Sequence, residues 1–201
     1  MPTDPSAALK VFAEAVRTSE HNLVSRRARD ELEERHIPEC VAFAGMLPSG
    51  TGDLLDVGSG GGFPGLVVAA VRPDLRVTLL EATGKKAQFL EETAEAMGLR
   101  VRVLHGRAED LLSAHAHRFD LVTARAVAPL DRLLPITLPF LRAGGLLYAI
   151  KGDRWAEELQ EALGVLQRMR ARVLSTPEDV PSGDSAATAH TPKTVIIAPA
   201  S

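Results

Sequence analysis

The sequence predicts an α/β fold: a mostly parallel sheet with helices on both faces, preceded by a short N-terminal helical extension. Three observations predict it. From residue 54 onward short apolar runs alternate with longer helical patterns, the signature of strands joined by crossover helices. One run, Leu54-Leu55-Asp56-Val57, ends in an acid and breaks into Gly58-Ser59-Gly60-Gly61-Gly62-Phe63-Pro64-Gly65, as a buried strand does when it turns sharply into a helix. The chain of 201 residues, 45% hydrophobic and 24% charged, suits one globular core with an extension rather than two ordinary domains. The expected division is a helical extension over 1–50 and a single globular unit over 51–201.

The elements follow in order. Leu9, Phe12, Ala13 and Val16 recur at helical spacing, so Ser6 to Val16 is read as an amphipathic helix. Arg26 to His36 is read as a second helix with Ser25 as its N-cap. Its Arg26, Arg27 and Arg29 form either a solvated face or an RNA-facing patch. Pro38 to Met46 is an apolar helix stopped by Pro48-Ser49-Gly50-Thr51-Gly52. After the central strand come a helix over Leu66 to Val71, a strand over Arg76 to Leu80 ending at Glu81, and a helix over Lys85 to Met97 closed by Gly98. Val101 to Leu104 and Phe119 to Arg125 are the third and fourth strands. A helix follows Pro129 to Phe140, and Ala143-Gly144-Gly145 turns into a fifth strand over Leu146 to Ile150. Trp155 to Met169 is helical. The tail segments Val173 to Val180 and Thr194 to Ala198 are expected to pair as an edge hairpin, joined by a mobile linker over Pro181 to Pro192.

Composition excludes several classes. A net charge of −3 argues against gripping nucleic acid by bulk electrostatics, although a local patch can still do so. No apolar stretch is long enough to span a membrane, and Met1 to Lys10 shows no secretory signal. The single cysteine, Cys40, precludes an internal disulfide and agrees with a cytoplasmic location. The histidines lack recognisable metal-ligand spacing, so no metal is expected.

The glycine spacing selects the ligand. A dinucleotide fingerprint G-x-G-x-x-G begun at Gly58 would place its third glycine at Phe63. The run fits acid-x-G-x-G-x-G instead, through Asp56, Gly58, Gly60 and Gly62. An anionic Asp56 repels a pyrophosphate but suits a ligand carrying an ammonium and a sulfonium, and no Gly-Lys-Ser/Thr follows for a P-loop. S-adenosyl-L-methionine fits best; the competing reading is a glycine-rich turn in another α/β protein.

Ligands of such sheets sit beyond the carboxyl ends of the strands. Glu81, about twenty residues past the glycines, can accept ribose hydroxyls or merely pair with Lys85. Ala108 and Glu109 can address an adenine edge, or Glu109 can serve as a first-turn helix acid. Phe63 closes the loop or belongs to the core. Arg125, at the end of an apolar strand, must be paired or face solvent; it either neutralises Asp56 or Glu81 or reaches a substrate. Arg107, Lys85, Lys86 and Lys151 make the rim locally positive, which suits RNA. The fourth strand ends in Thr123-Ala124-Arg125-Ala126, not in an Asn/Asp-Pro-Pro-aromatic amine clamp, and offers no cysteine nucleophile. A ring nitrogen such as guanine N7 needs neither, because it carries a lone pair and no proton. A small-molecule methyltransferase and a non-catalytic nucleotide-binding regulatory module are the alternatives.

Together, Leu55 to Gly65, Arg72-Pro73, Thr78 to Lys86 with Phe89-Leu90, Gly106-Arg107-Ala108-Glu109, Ala124-Arg125-Ala126 and Leu147 to Gly152 resemble the bacterial small-subunit (16S) ribosomal RNA guanine-N7 methyltransferases, the glucose-inhibited division protein B family. The resemblance covers Asn22 to about Gly152 well. It implies a Rossmann-like class I S-adenosylmethionine-dependent methyltransferase fold, with cofactor contacts at Gly58, Phe63, Glu81-Ala82-Thr83, Ala108, Glu109 and Arg125. It makes Arg107 and Arg125 the candidates for ordering cofactor and guanine. Lys85, Lys86 and Lys151 are expected to face RNA, the partner being 16S ribosomal RNA or the small ribosomal subunit, and the enzyme is expected to act as a monomer. The family's Asn-Leu-Thr-Ser and His-x-x-Asp-Ser stand here as Asn22-Leu23-Val24-Ser25 and His36-Ile37-Pro38-Glu39-Cys40.

Overall fold

Seven strands form one sheet in the order β3-β2-β1-β4-β5-β7-β6 in a computed structural model that describes residues 4–179 and 191–199. The first five strands, β1 (Gly52–Val57), β2 (Leu75–Glu81), β3 (Arg102–His105), β4 (Phe119–Arg125) and β5 (Leu141–Ile150), run parallel, and β6 (Ala171–Ser175) and β7 (Thr194–Pro199) are antiparallel additions. The strand order reverses between β1 and β4, and that switch point opens the crevice where ligands of open α/β sheets bind. The tail strands do pair, with β7 lying between β5 and β6. The linker expected between them lies, up to residue 190, outside the described residues.

Period-two alternation sorts the strand side chains into two cores. Leu54, Leu79, Leu121 and Tyr148 face one side, where they meet Phe12 and Val16 of α1 (Pro5–Thr18), Phe43 of α3 (Ile37–Met46), Val67 of α4 (Gly65–Val71) and Leu90 of α5 (Gly84–Ala96). Leu55, Leu80, Val122 and Leu147 face the other, against α6 (Ala108–His115), α7 (Leu130–Thr137) and α8 (Trp155–Arg168). The N-terminal extension therefore shares a core with the sheet. By the same alternation Asp56, Glu81, Thr123 and Arg125 fall on the extension's side.

The charged stretch differs from the single helix expected. Ser25 caps α2 (Arg26–Asp30), its Oγ accepting from the Ala28 N–H at 3.2 Å. A π-helical turn, Leu32–His36, then carries the chain into α3, with the His36 N–H reaching the Glu31 carbonyl at 3.2 Å. Pro38 stands in the first turn of α3, directly after the π-helical turn. Arg27 pairs with Glu31 across one turn, so that part of the face is a solvated ion-pair ladder.

Two further differences have local causes. Helix α6 has no counterpart among the expected elements, because it is short and lacks a side-chain cap. The expected Ala143-Gly144-Gly145 turn lies inside β5, where the register with β4 shifts between Phe119 and Leu121. A Cβ at Gly145 would lie 2.9 Å from the Asp120 carbonyl oxygen and 3.0 Å from that of Phe119, so glycine lets the irregular strand continue.

Arg72 ties the extension to the sheet. Its guanidinium donates to the carbonyls of Ala44 (2.9 Å), Leu47 (3.2 Å) and Pro48 (2.6 Å) and forks onto Asp74. Arg72→Ala leaves the end of α3 without these partners, and an expected loss of about 2 kcal/mol follows from charge-assisted bonds of this type. Thermal melting checks it: an unchanged midpoint would show that the fork contributes nothing.

Candidate active site at the strand tips

The glycine run behaves as its spacing predicts. Gly58, Gly60 and Gly62 all adopt the left-handed region, with φ of 69°, 54° and 92°, which L side chains rarely enter. The Gly58 and Ser59 N–H groups both donate to the Leu80 carbonyl, at 2.8 and 3.0 Å, and the Gly62 N–H returns to the Ser59 carbonyl at 2.7 Å. The loop thus closes over the tip of β1 and leads into α4. Beside it lies a cavity of about 260 Å³ bordered by Gly58 to Gly61, Phe63, Lys86 and Arg125. Phe63 borders this cavity and packs on Phe12, ring centroids 4.7 Å apart.

Asp56 is 1% exposed, which corrects the expectation of a carboxylate presented at the strand tip. Its Oδ1 accepts from Thr123 Oγ1 at 2.7 Å, while Oδ2 has no hydrogen-bond partner and lies against Gly65, where an added Cβ would be 2.6 Å away. Burial pushes its pKa up to about 6, with the Thr123 hydrogen bond and other nearby donors only partly opposing the shift. The loop therefore rests on a poorly neutralised carboxylate, and that fits a cationic ligand above it. The folded protein binds a proton here that the unfolded chain has lost by about pH 4. Stability is expected to fall by about 3 kcal/mol as pH rises from about 4 to 6 and then level off. Asp56→Asn should remove that component, and denaturant melts of both proteins across this range test it. An identical pH dependence in the two would refute the assignment.

Glu81 is not paired with Lys85. One oxygen accepts from the Gly60 N–H at 2.9 Å and the other from the Thr83 N–H at 2.8 Å, so the carboxylate holds the loop while retaining acceptor capacity. Ala82 and Thr83 are exposed beside it, leading into α5. Ala108 is buried at the start of α6 and Glu109 is exposed in its first turn.

Arg125 stands at the boundary between this cavity and a larger one of about 770 Å³. It does not neutralise Asp56 or Glu81 directly. Its guanidinium lies 3.3 Å from His36 Nδ1, 3.5 Å from Glu39 Oε2 and 3.5 Å from Cys40 Sγ. The next residue, Ala126, has φ of 55°, a strained setting for a non-glycine residue. His36, Glu39 and Cys40 went unrecognised as site residues. The available signal was the family's His-x-x-Asp-Ser, which stands here as His36-Ile37-Pro38-Glu39-Cys40, its three-residue spacing placing His36 and Glu39 on one helical face.

Two expectations need correction. Arg107 and Arg125 do not converge: Arg107 is exposed beyond β3, with β2 and β1 between it and β4, a separation of roughly 14 Å at the usual strand spacing. Lys151 is not a free RNA-facing charge. Its side chain is 6% exposed, pairs with Glu158 at 2.6 Å and donates to the Ala128 carbonyl at 2.8 Å. Lys86 borders the smaller cavity, and Lys85 is exposed over a recess between α1 and α5. Among the described residues no cluster of three or more His, Cys, Asp or Glu can hold a metal, and no helix is long and apolar enough to cross a membrane.

The chain is similar to known proteins. A ribosomal RNA small subunit methyltransferase G from Frankia alni is 46% identical over 165 residues, covering 80% of this chain and 63% of that protein. The protein of the same name from Mycolicibacterium gilvum is 36% identical over 206 residues, covering 91% and 90%. The chain thus spans a little under two thirds of the Frankia alni relative and nine tenths of the other. Among solved structures, an MtNAS variant in complex with S-adenosylmethionine superposes with a TM-score of 0.60 at 16% identity, covering 95% of this chain and 71% of that chain. At that identity the likeness concerns the fold alone, a mostly parallel α/β sheet covered by helices. The glycine loop, Glu81 and Arg125 all lie within residues 7–182, which match the family model described as GidB, rRNA small subunit methyltransferase G, and the chain belongs to that family.

Proposed function

We propose that this protein is an S-adenosyl-L-methionine-dependent methyltransferase acting on guanine N7 of 16S ribosomal RNA. The observation that carries the proposal is the left-handed glycine loop bordering a cavity above the buried, incompletely partnered Asp56 carboxylate. Family membership supports it. When bound, the cofactor supplies a methyl group on a cationic sulfonium.

The protein's own residues bind and orient. Gly58 and Gly60 admit close backbone approach, Asp56 contributes negative potential beneath the loop, and Phe63 borders the pocket. The remaining acceptor sites of Glu81, with Ala82 and Thr83, are assigned to the ribose, and Ala108 with Glu109 to the adenine edge. Arg125, common to both cavities, orients the acceptor. Guanine N7 attacks with its own lone pair, so positioning replaces general base catalysis. Arg107, Lys85 and Lys86 are assigned to the RNA backbone; Lys151 instead braces the loop after β4. The segment over 1–50 acts as an extension that completes the site of the unit over 51–201. The enzyme works as a monomer in the cytoplasm, without a metal.

The test is methyl transfer from labelled cofactor to small ribosomal particles lacking the modification. Borohydride reduction and aniline treatment should then cleave the product RNA at N7-methylguanosine. Label recovered on ribose or on an exocyclic amine would overturn the choice of acceptor, and transfer to small molecules alone would overturn RNA as the substrate.

A further inference from the structure

The wall of the larger cavity holds an ion pair of which the function proposed above uses only one member, Arg125, and leaves the other, Glu39, without a role. Arg125 and Glu39 both line it, with side chains 25% and 18% exposed, and their nearest polar atoms are 3.5 Å apart. Glu39 is anchored: Oε1 accepts from Arg35 Nε at 2.8 Å, and His36 Nδ1 lies 3.3 Å from Oε2. Burial alone would raise the Glu39 carboxyl, but the Arg35 hydrogen bond and the Arg125 and His36 neighbours outweigh it and hold it below the ordinary value. At neutral pH Glu39 is therefore an acceptor only, beside a guanidinium that only donates.

That pattern is directional. Guanine presents an acceptor, O6, next to the donors N1–H and N2–H₂. Adenine presents the reverse, the N6–H₂ donor next to the N1 acceptor. A cavity of about 770 Å³ is within the range of sites that enclose small molecules, roughly 300–1,000 Å³, and enzymes that modify a base commonly extrude it into such a pocket. Contacts along the Watson–Crick edge leave N7 free to react.

We propose that Glu39, with Arg125 beside it, is the specificity-determining carboxylate that accepts guanine's N1–H and N2–H₂ and rejects adenine. The inference rests on the guanine-N7 function proposed above. It adds that base choice is made by a residue of the N-terminal extension, on the turn of helix that follows the π-helical segment.

The experiment compares the full-length wild type with Glu39→Gln and Glu39→Asp, using small ribosomal particles as substrate and guanosine and adenosine monophosphates as competing inhibitors. The wild type is expected to be inhibited at least about tenfold more tightly by guanosine monophosphate than by adenosine monophosphate. In Glu39→Gln, kcat/KM should fall about 10- to 100-fold, the preference between nucleotides should vanish, and cofactor affinity should stay within about twofold. Glu39→Asp, which keeps the carboxylate, should restore part of the preference. Undiminished kcat/KM in Glu39→Gln, or a loss of activity with the preference intact, overturns the proposal. So does a wild type that methylates particles yet is inhibited equally, or not at all, by both nucleotides. A wild type that transfers no methyl group to particles fails the parent function instead, a separate result.

Discussion

Arg125→Ala is expected to reduce methyl transfer to small ribosomal particles about a hundred- to a thousandfold, the cost typical of removing one preorganised donor from a reacting centre. Three observations set this expectation. Arg125 borders both cavities, so it lies where cofactor and acceptor must meet. It is held by His36, Glu39 and Cys40 from a separate helix. It also directly precedes the strained Ala126. Stability should change little, because Glu39 keeps its Arg35 and His36 partners when the guanidinium is removed. Arg125→Lys should keep the fold and recover only a minor part of the rate, since an ammonium cannot reproduce the planar fork. Steady-state kinetics and thermal melting on the same preparations decide the matter. A collapsed melting temperature with full activity in the surviving folded protein would make Arg125 a purely structural residue.

Gly65→Ala is expected to destabilise the protein strongly by collision alone. Its φ lies outside the left-handed region, so the damage comes from collision and not from backbone strain. A Cβ there would lie 2.4 Å from Leu79 Cδ2, 2.6 Å from Asp56 Oδ2 and 3.1 Å from Asp56 Cβ. Leu79 is fully buried and Asp56 nearly so, and neither can retreat without disturbing β2 or β1. Overpacking of this kind costs about 3 kcal/mol, which lowers the midpoint of a domain this size by roughly 6–12 °C. Cofactor affinity should fall as well, because the start of α4 would be pushed off the strand tip. Gly60→Ala is the contrast: its added Cβ meets only the Gly58 carbonyl oxygen at 3.7 Å, so its cost is that of a left-handed alanine, about 1 kcal/mol. If calorimetry and melting gave the two variants equal stability, the packing account would be wrong.

The elements were legible where the signal is local. Phe119–Arg125 matches the expected fourth strand residue for residue, and the ends of α5 and α8 lie within a residue or two of expectation. Elements whose bounds depend on partners were not. The early start of β5 depends on β4 accepting an irregular register around Gly145. The π-helical turn depends on Glu31 serving Arg27 and Arg35 together while its carbonyl accepts from two successive N–H groups. Helix α6 is too short for its periodicity to stand out from the loops around it.

The site divides along the same line. The glycine loop, the acid that ends β1 and the strand-tip position of Glu81 and Arg125 were readable in the sequence, because turn geometry and strand alternation are written in neighbouring residues. The sequence could not determine what those side chains would meet. Only the tertiary structure buried Asp56 under α4, turned Glu81 onto the Gly60 N–H and tied Lys151 to Glu158. It also separated Arg107 from Arg125 by two intervening strands and brought His36 and Glu39 to the guanidinium. The physical reason is that strand order and helix docking are set by burial of apolar faces contributed from distant parts of the chain. The ion pairs at the strand tips form only after that packing has fixed which charges lie within 4 Å of one another.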